Sequence, residues 1–311
     1  MSQSQHGATL GSSARQPRPA PTPGASLNAI DATSLVIRYS NGHVALDGLS
    51  LAIPRGSFFG LLGPNGAGKS SFIGAIGGLV VPTSGTVSVL GLDAVKDRSA
   101  VARKLGIVPQ SLALYADLTV RDNLRFFGGL YGLHGERLAA RSRMALEVAQ
   151  LADREGSRLG SLSGGMARRL NLAVALLHDP EVLICDEPTT GVDPQSRLHL
   201  FEALKRLHAD GKTVVYTTHY MEEVEALCQE VAIVDQGRLV TRGTLDALLA
   251  PGEGKLPTAV TVTLPAGIQE GDVRNHLKAL GIAAHEVKPI RATLEDVFMA
   301  HTGRALRDGE P

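Results

Sequence analysis

Phe58-Phe59-Gly60-Leu61-Leu62-Gly63-Pro64-Asn65-Gly66-Ala67-Gly68-Lys69-Ser70-Ser71-Phe72-Ile73 is the stretch on which the fold turns. Phe58 to Leu62 form a nearly continuous apolar run, as in a strand buried on both faces. Gly63 to Ser70 carry the spacing G-x-x-x-x-G-K-[ST], and Ser71 to Ile76 continue as a helix. Strand, glycine loop and helix in this order mark a phosphate-binding loop. The segment Gly63, Pro64, Asn65, Gly66, Ala67, Gly68 lets successive backbone N–H groups converge on phosphate oxygens, and the helix N-terminus adds its dipole. Lys69 is placed for β- and γ-phosphate oxygens and Ser70 for Mg²⁺. A glycine-rich turn with a solvated lysine is the plain alternative, and the flanking strand and helix count against it.

Further along the chain the buried-strand signature returns. Val182-Leu183-Ile184-Cys185 and Thr213-Val214-Val215-Tyr216-Thr217 are apolar runs separated by helical patterns, and Val231-Ala232-Ile233-Val234 closes the series. Upstream, Leu35 to Tyr39 and Leu49 to Ile53 read as a short antiparallel pair. This alternation predicts an α/β fold around a mostly parallel sheet. Between Ser111 and Leu162 strand signals vanish, and Asp122 to Tyr131 and Gly135 to Leu151 read as helices of an inserted lobe.

Both ends differ from this middle part, 29–250. Residues 1–28 are rich in Ser, Gln, Pro and Gly and read as a disordered leader. After Pro251 a Gly-Glu-Gly linker leads into 251–311, a small α+β appendage. Its strand runs through Val260, Val262 and Leu264, one helix carries Val273, Leu277 and Leu280, and a last helix starts at Thr293. With 43% hydrophobic and 20% charged residues, the chain of 311 residues has the balance of a soluble globular protein. Lys plus Arg equals Asp plus Glu at 31 each, so the electrostatics supply no reason for a nucleic-acid partner. Cys185 and Cys228 are too far apart for a metal-ligand pair, and a reducing compartment is the simpler reading. No apolar run is long enough to cross a bilayer, and no secretory signal is present. Any crossing of a membrane is then the task of another chain.

Two further segments bear on chemistry. Asp186-Glu187 ends the Val182 strand, where a parallel sheet presents its ligands. Asp186 can join a Mg²⁺ shell and Glu187 can polarise an attacking water, although such a pair alone is more often a solvated strand end. Leu162-Ser163-Gly164-Gly165-Met166 precedes a strongly helical run. Ser163 fits an N-cap there, with a second anion site as the sharper reading.

In this order, the loop, Leu162-Ser163-Gly164-Gly165-Met166, Asp186-Glu187 and a histidine after the next strand resemble the ATP-binding-cassette (ABC) family. The resemblance covers about Ala29 to Ala250. It implies a P-loop NTPase cassette with a parallel core, an antiparallel β subdomain and a helical lobe, ATP and Mg²⁺ as cofactors, and ATP hydrolysis. By this resemblance Ser163, Gly164 and Gly165 contact the γ-phosphate of ATP held by a partner subunit, in a head-to-tail homodimer. Tyr39 matches the aromatic stacked on adenine, and Ser71 the residue touching the α-phosphate. Gln110 matches the glutamine meeting Mg²⁺ and water, Asp193 the aspartate crossing the dimer interface, and His219 the histidine positioning Glu187 and the water. Cys185 departs from the family's larger aliphatic residue, which a small buried thiol can replace.

Thr293-Leu294-Glu295-Asp296-Val297-Phe298 with His301-Thr302-Gly303-Arg304 resembles the C-terminal segment of daunorubicin-resistance and nodulation-factor exporter subunits. That implies export of a drug, lipid or glycolipid through an integral membrane permease, with this chain peripheral on the cytoplasmic face of the inner (plasma) membrane. Phe126, Phe127 and Tyr131 then lie near the surface receiving a permease helix, with core packing the plainer fate of most. Translation-type cassette proteins carry two cassettes and repair ATPases carry long coiled coils; neither feature occurs here. An importer subunit is the other alternative.

Overall fold

The computed structural model describes residues 27–250, the backbone of 259–263 and 286–290, and His301. Residues 1–26 of the expected leader and the helices expected in the appendage lie outside these residues, except that His301 is helical and exposed; Asn28, expected to end the leader, is instead the first residue of a strand.

Strands β1 (Asn28–Arg38) and β2 (Val44–Pro54) pair antiparallel, with Leu35 opposite Leu49. The pair is longer than its apolar centres suggest. Next come β3 (Phe58–Leu62), α1 (Lys69–Ile76), β4 (Ser84–Val89) and β5 (Leu92–Asp93). The antiparallel sheet is therefore four-stranded, in the order β2-β1-β4-β5. β4 went unread because its first half, Ser84-Gly85-Thr86, is exposed and has no apolar period.

After α2 (Arg98–Lys104) and β6 (Leu105–Val108), the helical lobe holds α3 (Val120–Leu130) and α4 (Gly135–Val148). The lobe's single isolated bridge, Thr119 to Arg158, is the nearest thing to a strand there. Thr119 caps α3 by accepting from the Asp122 N–H at 3.1 Å, which moves the helix start upstream of the expected Asp122. α5 (Gly164–Leu176) returns to the core, and its buried Arg169 donates to the carbonyls of Ala149 and Gln150 at 2.9 and 3.0 Å, covering the end of α4.

The remaining elements of the core are β7 (Val182–Asp186), α6 (Pro194–Ala209), β8 (Thr213–Thr218), α7 (Met221–Leu227), β9 (Glu230–Asp235), β10 (Arg238–Thr244) and α8 (Leu245–Leu249). The six-stranded sheet runs β10-β9-β3-β8-β7-β6 and is parallel except for β10. The Val231 strand thus does not close the series. β10 adds an antiparallel edge whose half-exposed Arg and Thr residues carry no buried-strand signature. Cys228 follows α7 as its C-cap and is not within a helix. β11 (Ala259–Thr263), the expected appendage strand, pairs antiparallel with β12 (Glu286–Ile290), which the sequence pattern did not reveal.

Apolar runs in the central strands feed two cores at once. Phe58 and Leu62 face the cluster formed with α5, α6 and the helical lobe, whereas Phe59 and Leu61 face the cluster with α1 and the antiparallel sheet. Leu183 and Val214 repeat the first orientation, Ile184 and Val215 the second. Period-two alternation with both faces covered is the reason these strands look uniformly hydrophobic. Each such side chain contributes about 1.5–3 kcal/mol by burial. The sheet is thereby a rigid platform for the loops at its strand ends.

Candidate active site

The carboxyl ends of β3, β7, β8 and β6 open on one side of the sheet, so the segments that follow them converge. Gly68, the N-cap of α1, has φ +104°, and no side chain caps the helix. A Cβ at Gly68 would sit 2.5 Å from the Ala45 carbonyl oxygen and 2.7 Å from Leu46 Cδ2. Gly68→Ala is expected to cost about 2–5 kcal/mol from strained φ and overpacking. Urea denaturation should show it, alongside lost binding of a fluorescent ATP analogue.

Lys69 is buried and its Nζ donates to the carbonyls of Gly63 at 2.7 Å and Pro64 at 3.1 Å. The same ammonium lies 3.3 Å from Glu187 Oε1. Ser70 Oγ donates to Asp186 Oδ2 at 3.2 Å, and Thr217 Oγ1 donates to Asp186 Oδ1 at 2.6 Å. A hydroxyl and a carboxylate this close form a hard oxygen pair suited to Mg²⁺, so the residues fit that ion. Lys69, the uncapped N–H groups of α1 and the glycine loop likewise fit polyphosphate.

Glu187 is buried and holds a left-handed backbone, φ +43°. Its N–H donates to the Thr217 carbonyl at 3.0 Å, with Thr217 Oγ1 at 3.2 Å as a second acceptor. Such a conformation in a residue with a side chain costs about 1–3 kcal/mol and points to a position required for function. Gln110 Nε2 donates to Glu187 Oε2 at 3.2 Å. His219 Nδ1 lies 3.3 Å from the same oxygen, without hydrogen-bond alignment. A carboxylate with one oxygen facing Lys69 and the other facing an amide and an imidazole is well placed to take a proton from water.

An open cleft of 240 Å³ is lined by Asn65, Gly66, Ser70, Ser71, Gln110 and Glu187 among others. At its side, the Tyr39 hydroxyl is 3.0 Å from Ser71 Oγ, and the half-exposed Tyr39 ring stacks on His43. An exposed aromatic face suits a planar base.

Ser163, Gly164, Gly165 and Asp193 form a second group, at the paired N-termini of α5 and α6. Ser163 accepts from the Met166 N–H at 3.2 Å, as its N-cap reading requires. Gly165 is glycine because a Cβ would overlap Ser196 Oγ. Asp193 caps α6 by accepting from the Ser196 N–H at 2.9 Å, and that hydrogen bond holds its carboxyl below the usual range. Ser163 and Gly164 are exposed, so their surface faces away from the packed core. Burial pushes the Cys185 thiol up, consistent with an inert core residue.

Sequence reasoning missed Thr217 and His43. Two threonines ending an apolar strand were the available signal for the first. His43 lies in a turn and carries no signal of its own.

The ABC transporter family profile matches residues 46–190. The linearmycin resistance ATP-binding protein LnrL of Bacillus subtilis is 42% identical, over 84% of this chain and 94% of that protein. A Nod factor export ATP-binding protein I from Cupriavidus metallidurans is 41% identical, over 86% of this chain and 95% of that protein. The daunorubicin resistance ATP-binding protein DrrA3 of Streptomyces coeruleorubidus is 38% identical, with coverage of 83% and 91%. Among solved structures, cbiO1 from Clostridium perfringens, part of the transporter complex cbiONQ, superposes with TM-score 0.66 at 27% identity, covering 72% of this chain and 91% of that one. The cassette MJ0796, solved as a dimer in a post-hydrolysis state with ADP and Pi, gives TM-score 0.64 at 27% identity, with coverage of 70% and 98%.

Proposed function

This chain belongs to the ABC transporter family as an ATP-binding, ATP-hydrolysing subunit of the drug and Nod factor exporter type, and from that premise we propose how its residues divide the work. Lys69 and the N–H groups of the loop from Asn65 to Ser70 hold the β- and γ-phosphates, Ser71 meets the α-phosphate, and Tyr39 stacks on adenine. Ser70, Asp186 and Gln110 hold Mg²⁺, which when bound neutralises charge on the phosphate oxygens. Glu187 takes a proton from the water that attacks the γ-phosphorus as the bond to ADP breaks. Gln110 and His219 orient that water and Glu187. The observation that carries this reading is the buried Glu187, held in a left-handed backbone between Lys69, Gln110 and His219.

Ser163, Gly164, Gly165 and Asp193 serve the nucleotide of a second copy, in a head-to-tail homodimer. The exposure of Ser163, Gly164 and Asp193 at two helix N-termini supports this assignment, as does the dimeric state of MJ0796. Export itself is assigned to an integral membrane permease paired with this chain, as for ATP-binding subunits of its type; among the described residues no helix is long and apolar enough to cross a membrane. The chain then sits on the cytoplasmic face of the plasma membrane, held there by the permease. A 640 Å³ cleft on the helical lobe, lined by Leu118, Phe126, Leu133 and Leu138 with Asp122 and Arg125 beside them, suits an amphipathic partner helix. Phe126 is about two-fifths exposed there, whereas Tyr131, equally exposed, does not line the cleft and stacks on His178, and Phe127 packs against the core.

Purification of the tagged chain from its native membranes is expected to recover a polytopic membrane protein, and candidate drugs or lipids should stimulate ATPase activity of that complex in vesicles. Salt-sensitive recovery of ribosomes or nucleic acid in its place would overturn the assignment.

A further inference from the structure

Behind the face of Glu187 and His219 lies a buried polar cluster centred on Glu223, in the first turn of α7. Glu223 is 2% exposed. Its Oε1 accepts from Thr189 Oγ1 at 2.7 Å, and its Oε2 accepts from the Tyr216 hydroxyl at 3.0 Å and from Thr218 Oγ1 at 2.9 Å. All three donors are buried as well. Burial and the adjacent carboxylate push the Tyr216 hydroxyl up, so it stays protonated and donates.

Those donors come from the segments that carry the proposed chemistry. Thr189 lies in the loop between Glu187 and Asp193, and its carbonyl accepts from the Val192 N–H at 3.0 Å. Thr218 precedes His219 directly, and its Oγ1 accepts from the Tyr220 N–H at 3.0 Å, so the hydroxyl braces both neighbours of the histidine. Tyr216 packs edge-on against Phe201 of α6, the helix that Asp193 caps, with ring centroids 6.3 Å apart. One carboxylate thus ties together the ends of β7 and β8 and the start of α7.

Taking a carboxylate out of water is costly unless every oxygen finds donors. An apolar side chain would fill the same space between β8 and α7 without that cost, yet would take the shared acceptor from three buried hydroxyls, of which only Thr189 and Tyr216, 3.3 Å apart, could turn to each other. We propose that Glu223 is a positioning residue for hydrolysis: through Thr218 and Thr189 it holds His219 and the Glu187–Asp193 loop in the arrangement that brings His219 beside Glu187. The proposal rests on the reading of Glu187 and His219 as hydrolytic partners. It adds a residue that touches neither nucleotide nor water.

Glu223→Gln preserves shape and replaces one acceptor oxygen by an NH₂ donor, so the three hydroxyls can no longer all donate to this side chain, and Thr189 Oγ1 is left to turn toward the Tyr216 hydroxyl 3.3 Å away. With the full-length chain, kcat for ATP is expected to fall at least fivefold, with KM changed less than twofold. In a Glu187→Gln background the same substitution should leave the Kd for ATP within twofold. A loss confined to packing would lower ATP affinity or the amount of folded protein, not kcat at saturating ATP. A smaller fall in kcat, or a rise in KM or Kd that accounts for the loss, overturns the proposal. Should Glu223→Gln not fold, Thr189→Val removes one strut alone and is held to the same criteria. If Glu187→Gln by itself leaves turnover intact, the reading of the site fails; if it abolishes turnover while both Glu223→Gln and Thr189→Val turn over normally, only the role of Glu223 fails.

Discussion

Glu187→Gln is expected to abolish steady-state ATP hydrolysis, by on the order of 10²–10⁴-fold, while ATP binding persists and an ATP-bound dimer accumulates. The substitution keeps the size of the side chain and its place at the end of β7. An amide at this position still accepts a hydrogen bond through its oxygen but no longer takes a proton from water. Lys69 retains the Gly63 and Pro64 carbonyls, so the loop keeps its shape. Removing a negative charge 3.3 Å from Lys69 also removes repulsion toward a γ-phosphate, which favours the closed, ATP-loaded state. Phosphate release measures the first effect, and size-exclusion chromatography with and without ATP measures the second. Hydrolysis at the parental rate would remove Glu187 from its assigned role.

Ser163→Arg should block hydrolysis and spare nucleotide binding to the isolated subunit. Ser163 is exposed, so an arginine there meets no core and costs only the helix cap, about 1 kcal/mol. In a head-to-tail dimer, however, it would occupy the space reserved for the partner's γ-phosphate. Lys69→Ala disables the opposite half of the site. Mixing the two variants should restore about one working site per heterodimer, because one composite site then pairs an intact loop with an intact Ser163 segment. Both variants alone should be inactive. A heterodimer that is shown to form by differential tagging but has no activity would rule out the head-to-tail arrangement.

Much of this was legible in the chain, and for a local reason. The loop from Gly63 to Ser70 needs glycine at fixed offsets beside a lysine, and its strand and helix are contiguous with it. Likewise, Ser163 could be read as a cap because an N-cap acts within three residues. Asp186 and Glu187 were marked by following an apolar run directly. Thr217, by contrast, looked like one more β-branched strand residue. Its bonds to Asp186 and to the Glu187 N–H exist because β7 and β8 are parallel neighbours with Asp186 opposite Thr217. Glu223, one of three acids between Met221 and Leu227, carries no mark in the sequence, and its burial depends on how α7 lies across β8.

By itself the sequence predicted phosphate binding through a strand–loop–helix unit, and the order of its short motifs identified its family. Such features are encoded over a few residues, where backbone freedom, capping and side-chain chemistry act directly. The tertiary structure alone decided that Gln110, 77 residues before Glu187, donates to its carboxylate, and it set His219, 32 residues after it and already paired with Glu187 by resemblance, 3.3 Å from the same oxygen. It also decided the sheet edges β4 and β10, whose half-exposed residues leave no periodic trace, and the buried hydroxyls around Glu223. Long-range proximity of this kind follows from strand order and register, which are set by the burial of two faces of one sheet and are written in no single segment.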